Sequence, residues 1–151
     1  MVKSRGIALR PSLRPLLPRN VRPHRILRGP LRGCKIVTSW HDYPAALLGY
    51  TEQPLIDWFS ANVRPGETCL DVGAHYGYTA LALSKLVGPR GRVFAFEPVL
   101  STAGCLESTR LLNKLAQLTV LPIGLTANQQ FAMMSVPLAR GMADHGHESA
   151  L

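Results

Sequence analysis

The stretch CLDVGAHYGYTALAL, from Cys69 to Leu83, constrains the fold more than any other part of the chain. Apolar residues lead into Asp71, Gly73 and Gly77 stand four apart, and a helical pattern follows at once. A strand that passes through glycines directly into a helix is a βα unit whose backbone must turn tightly or approach another group closely. In an open α/β sheet that junction lies at the carboxyl ends of the strands, where ligands bind beside free helix N–H groups. A dinucleotide site would read G-x-G-x-x-G, with glycines that make room for a pyrophosphate. Here the run is Gly73-Ala74-His75-Tyr76-Gly77, which fails that pattern. Asp71 would repel a pyrophosphate and suits a ligand that carries an ammonium group. The turn therefore favours the zwitterionic end of an amino acid over a diphosphate.

The rest of the chain supports this reading. After the turn RPGE, the pattern predicts a strand over 67–72, a helix over 77–87, a strand over 92–97, a helix over 102–116 and a strand over 118–125, with QFAMMSVP as a further short strand. Strands that alternate with helices at this pace imply βαβ units and a parallel sheet. Upstream, TEQPLIDWFSANV reads as a helix. Thr51 is placed to cap it, Pro54 is tolerated in the first turn, and Leu55, Ile56, Phe59 and Val63 share one face. RILRGPLRGCKIVTSW reads as short strands about a turn near Gly29-Pro30, and residues 1–24 read as irregular. At 151 residues the chain is long enough for one domain with a core.

Charge is unevenly spread. The net charge is +8, yet residues 1–41 hold ten Lys or Arg and no acid, while all nine acids lie beyond. The basicity belongs to an N-terminal arm. Such an arm can bind a polyanion, either nucleic acid or an anionic membrane, or act as an organellar transit peptide. Pro11, Pro15, Pro18 and Pro23 argue against an amphipathic transit helix, and no aromatic precedes Trp40 to stack on a base. No apolar run approaches the roughly 18 residues that would span a bilayer, so no integral membrane segment is expected. Cys34, Cys69 and Cys105 are widely spaced and odd in number, as expected of reduced thiols in a cytoplasmic compartment. Cys69 reads as a small buried hydrophobe.

Glu97 supplies the second half of the candidate site. It ends the strand RVFAFEP, one βα unit after Asp71. An acid at the end of a second strand commonly accepts hydrogen bonds from the hydroxyls of an adenosine ribose.

The segment RPGETCLDVGAHYGYTALALSKLVGPRGRVFAFEP resembles the S-adenosylmethionine site of the FkbM-type methyltransferases, within the class I Rossmann-like fold. The paired runs D-V-G-A-x-x-G-Y and L-V-G-P-x-G-R-V-x-A-F-E-P carry the resemblance, which extends over roughly residues 26–136. It implies an enzyme that moves the methyl of S-adenosyl-L-methionine to a hydroxyl on a sugar, polyketide or similar small molecule. It further implies that Asp71, Gly73, Ala74 and Gly77 hold the methionine end and Glu97 the ribose. His75 stands where that family often has Asn and would line the pocket. Tyr78 and Thr79, at the head of the helix, would touch the cofactor, and Asn128 would contact the adenine.

The resemblance also implies a division of the chain. Residues 1–25 form the basic arm, 26–66 a strand and helix lead-in, 67–136 a cofactor-binding βαβαβ half, and 137–151 an irregular tail. The acidic acceptor-side segment of that family has no counterpart here, so no general base is expected from these residues. The fold is read as an incomplete Rossmann-like sheet. Its open edge would favour self-association. A non-catalytic cofactor-binding remnant and a nucleic-acid methyltransferase stand as the alternatives. Asp144, His145 and His147 form a D-H-x-H cluster in the polar tail, which reads as solvated surface rather than a metal site.

Overall fold

A computed structural model describes residues 15–128 and Met134. The first fourteen residues of the arm, most of QFAMMSVP and the Asp144-His145-His147 cluster lie outside the described residues.

Strand β1 (Arg22–Arg25) pairs antiparallel with β2 (Lys35–Thr38) in a two-stranded hairpin. Two helices follow, α1 (Pro44–Leu48) and α2 (Gln53–Asn62). Then come β3 (Thr68–Val72), α3 (Tyr78–Val87), β4 (Arg92–Phe96), α4 (Leu100–Leu112) and β5 (Leu118–Leu121). Strands β3, β4 and β5 form a parallel sheet in that order, with Asp71 opposite Ala95 and Val93 opposite Leu118. This is the predicted α/β architecture, two successive βαβ units of a Rossmann-like sheet.

The period-2 pattern of the strands decides which face is covered. Val93, Ala95 and Leu118 pack with Ala80, Leu83 and Val87 of α3 and Leu106 of α4, all nearly fully buried, with Cys69 and Val120 alongside. Leu70 and Val72 point to the opposite face and are each 62% exposed. Cys69 is only half-buried, because β3 is an edge strand of the described sheet.

A second cluster joins the hairpin to the sheet's helices. Ile26, Leu31 and Ile36 meet Tyr43, Leu47, Ile56, Tyr78 and Leu81. Side chains of α4 also substitute for a strand along β2. Val37 N–H donates to Thr109 Oγ1 at 2.9 Å, Lys35 N–H donates to Asn113 Oδ1 at 2.9 Å, and Asn113 Nδ2 donates to Lys35 O at 2.6 Å. These bonds satisfy backbone groups that would otherwise be buried without a partner.

Several local expectations need correction. Residues 22–25 form a strand, where the sequence reads irregular arm. RPHR shows no apolar alternation, and Pro23 is tolerated because β1 is an edge strand. Helix α1 has five residues, too short to leave a helical period in the sequence. Helix α2 begins at Gln53, and Glu52, with φ 53°, occupies the cap position in place of Thr51. Leu55 is exposed, while Ile56 alone in that helix is fully buried. Helix α4 starts two residues earlier than expected and stops at Leu112, and β5 stops at Leu121. Pro122 follows, which lacks the N–H that would continue the ladder.

Candidate functional site

The site gathers at the carboxyl ends of β3 and β4. The backbone of the first βα turn is pinned to the neighbouring strand, since the N–H groups of Gly73 and Ala74 both donate to Phe96 O, at 2.9 and 3.0 Å. Gly77 N–H closes the turn on Ala74 O at 2.8 Å. The two glycines serve different ends. Gly73, at φ 77°, would carry a Cβ into open space, so only its backbone conformation calls for glycine. Gly77, at φ 91°, would place a Cβ 2.2 Å from Leu106 Cδ1. Its bareness serves the packing of α4 against the turn rather than the approach of a ligand.

Glu97 is 5% exposed, and both its oxygens are engaged. Oε2 accepts the His75 N–H at 2.9 Å, and Oε1 accepts the Val99 N–H at 2.9 Å. The carboxylate thus clamps the top of the glycine turn to the loop that starts α4. A carboxylate offers about four acceptor positions, so each oxygen retains capacity for a ligand hydroxyl.

Asp71 accepts a hydrogen bond from the Thr79 hydroxyl, Oγ1 to Oδ2, at 2.7 Å. Burial pushes the Asp71 carboxyl up to about 6, the Thr79 bond opposes the shift, and the charges of Glu52 and Glu97 add to it. Two acids of the site therefore raise a third. Among the described residues no lysine or arginine bonds to Asp71, Glu97 or the turn.

His75 occupies the left-handed region at φ 51°, a conformation that Asn adopts more readily than most residues. Its ring stands edge-on to Tyr43, with centroids 5.3 Å apart, and to Tyr76, at 4.3 Å. Burial lowers its pKa from the ordinary histidine value. The Tyr43 hydroxyl donates to Glu52 Oε1 at 3.5 Å. Tyr43 and Glu52 are the neighbours of the turn that the sequence reading missed. They belong to α1's cap and α2's cap, and no spacing rule links them to Asp71. The αL backbone of Glu52 is visible only in the structure.

Of the predicted site residues, Asp71, Gly73, Ala74, His75, Gly77, Thr79 and Glu97 come together around one turn. Two do not join them. Tyr78 is 1% exposed and packs into the hairpin cluster beside Tyr43, so its ring is covered by the lead-in core. The first helical position turns this side chain onto the lead-in core. Asn128 is exposed beyond β5, where Thr126 Oγ1 donates to its carbonyl.

No protein-family model matches the chain, and no curated protein matches it. Solved structures do resemble it. A SAM-dependent methyltransferase from Aquifex aeolicus is 28% identical, with 53% of this chain and 42% of that one covered and a TM-score of 0.44. A SAM-dependent O-methyltransferase from Thermotoga maritima is 20% identical over 67% of this chain and 41% of that one, with a TM-score of 0.46. An Aeropyrum pernix fibrillarin, solved with natively bound S-adenosyl-L-methionine, is 17% identical over 67% and 40%, with a TM-score of 0.38. The chain spans about two fifths of the length of these structures. Among the described residues no helix is long and apolar enough to cross a membrane.

Proposed function

We propose that this chain binds S-adenosyl-L-methionine and serves methyl transfer to a hydroxyl of a small molecule. One observation carries the reading. Two carboxylates, Asp71 and Glu97, stand at the ends of adjacent parallel strands on either side of a glycine turn, with no basic side chain among the described residues bonded to either. The donor set fits a ligand with an ammonium at one end and ribose hydroxyls further on. It does not fit a diphosphate.

The roles follow from the chemistry. Ionised Asp71, held by Thr79, attracts the ammonium, and Glu52 adds negative potential there. The free lone pairs of Glu97 accept the ribose hydroxyls while its other contacts keep the turn in shape. His75 and Tyr43 wall the mouth with aromatic surface. The cofactor supplies a sulfonium methyl for an in-line displacement, so the protein's contribution is alignment. None of the described residues is assigned as a general base.

Calorimetric titration of the 151-residue chain with S-adenosylhomocysteine and, separately, with NAD tests the reading. Saturable binding of the first and none of the second is the expected result. Binding of NAD without S-adenosylhomocysteine overturns it. A panel of sugar and polyketide alcohols, assayed for methyl transfer, tests the acceptor class.

A further inference from the structure

Arg19 and Arg22 apart, the charges gathered at the two ends of the sheet differ in sign. Four acids, Asp42, Glu52, Asp71 and Glu97, surround the mouth at the carboxyl end, where each contacts or electrostatically influences another group of the site. The opposite, amino end is basic. Helix α3 ends there at Val87, and Lys85 in its last turn donates from Nζ to Pro30 O in the hairpin loop at 3.3 Å. The end of α4 meets the same hairpin, through Asn113 and Lys35. The loop before β3 joins them, because Gly66 N–H donates to Val87 O and Arg92 N–H to Glu67 O.

These hydrogen-bonded segments bring one pole of the molecule together. Arg25, Arg28 and Arg32 come from the hairpin, with Lys35 at its base. Arg64 and Arg90 come from the loops beneath the sheet, Arg92 from the first position of β4, and Lys85 and Lys114 from the helix ends. All but Lys35 are exposed, and none is in an ion pair among the described residues. Glu67 is the one acid in these segments. Helix dipoles account for cations at the ends of α3 and α4. They do not account for the hairpin, where Arg25 lies directly opposite Lys35, a like-charge cross-strand pair that costs stability.

We infer that this amino-end pole binds the phosphate backbone of a nucleic acid. Six of its nine cations are arginines, whose planar fork matches a phosphodiester better than it matches water. They are mounted on a hydrogen-bonded hairpin and tight loops, so little ordering is needed on binding. Exposed Leu27 lies in the hairpin loop and exposed Leu111 and Leu112 at the end of α4, where Gly104, Glu107 and Ser108 interrupt any apolar stripe, so among the described residues no helix joins these cations to a continuous apolar face as a membrane-surface helix does. The pole faces away from the acidic mouth, so the nucleic acid is a partner held at a second surface and not the group delivered to the turn. The inference does not rest on the cofactor reading.

The test uses the full chain, a short labelled single-stranded RNA of mixed sequence, and vesicles of phosphatidylcholine with phosphatidylserine. The unsubstituted protein binds the RNA, and its affinity falls linearly with salt on a logarithmic scale, by a slope of about −0.7 per phosphate contact. Arg28→Glu, Arg32→Glu and Lys85→Glu together weaken binding at least about tenfold and flatten that slope. Charge reversal of Lys3, Arg5, Arg10 and Arg14 in the arm has the smaller effect. Arg90→Gln with Arg92→Gln serves as a second, milder variant should the first unfold, and it lowers affinity with an unchanged melting transition. RNA binding that survives both pole variants but is lost with the arm overturns the inference. So does capture by anionic vesicles with no RNA binding, salt-independent binding, or none.

Discussion

The His75 backbone N–H donates to Glu97 Oε2 at 2.9 Å, across 22 residues of chain, and so ties the left-handed residue of the glycine turn to the end of the neighbouring strand. The same carboxylate accepts Val99 N–H. A residue that the sequence marks as a ligand contact is thus also a structural clamp. The two roles predict separable effects of substitution.

Glu97→Gln keeps the shape but replaces one acceptor oxygen by an NH2 that faces a backbone donor. Removal of a charged acceptor from a buried hydrogen bond costs about 1–3 kcal/mol. Urea unfolding of the variant is expected to show a loss of that size, and calorimetry a fall in S-adenosylhomocysteine affinity of about tenfold or more. Unchanged stability would remove the clamp, and unchanged affinity in the folded variant would remove Glu97 from the ribose site.

Gly77 and Leu106 make a second testable pair. An alanine at 77 meets both the left-handed backbone at φ 91° and a Cβ contact of 2.2 Å with a fully buried leucine. Gly73→Ala meets only the backbone cost, about 1–2 kcal/mol for a non-glycine residue in that region. Gly77→Ala is expected to cost more, by the additional 1–3 kcal/mol or so typical of overpacking. In a double-mutant cycle, Leu106→Ala should recover part of that excess. Equal losses for the two glycine variants would show that Leu106 yields freely.

The hairpin's attachment gives a third. Asn113 both donates to and accepts from the backbone of Lys35. Asn113→Ala leaves those two half-buried groups without their partner, at a cost of about 1–3 kcal/mol. Amide hydrogen exchange is expected to accelerate at Lys35 and Val37 while β4 stays protected. Uniform acceleration throughout would mean that the hairpin and sheet unfold together.

The central architecture was legible because β3, α3, β4 and α4 carry undisturbed periodicities and the glycines mark their junctions. Asp71, Thr79 and Glu97 were legible for the same reason, as each sits where a strand ends or a helix begins. The lead-in was not. RPHR forms a strand only because β2 needs a partner and α4 supplies the other edge through Thr109 and Asn113, contacts made across more than 70 residues. The burial of Tyr78 was not legible, because helix phase, not sequence position, decides how the first helical residue packs. Glu52 reached the mouth through a left-handed cap that no local pattern announces.

Asp71 carries the prediction that joins stability to binding. Its carboxyl is raised from an ordinary 3.8 to about 6 in the folded chain. A group so raised holds its proton more firmly when folded than when unfolded. Its stabilising contribution is therefore complete below about pH 4 and lost as pH climbs through about 6. Asp71→Asn removes the buried charge, so at neutral pH the variant should melt no lower than the parent despite the weakened Thr79 contact, and between pH 4 and 6 the parent's downward slope should flatten. Binding runs the other way. A ligand ammonium needs the ionised carboxylate, so S-adenosylhomocysteine affinity should rise as pH climbs through about 6 and level off above it. In Asp71→Asn the affinity should be low and flat across the same range. Differential scanning calorimetry and isothermal titration at matched pH values measure both arms. A parent whose affinity does not change between pH 5 and 7 would show that Asp71 faces no cationic group of the ligand.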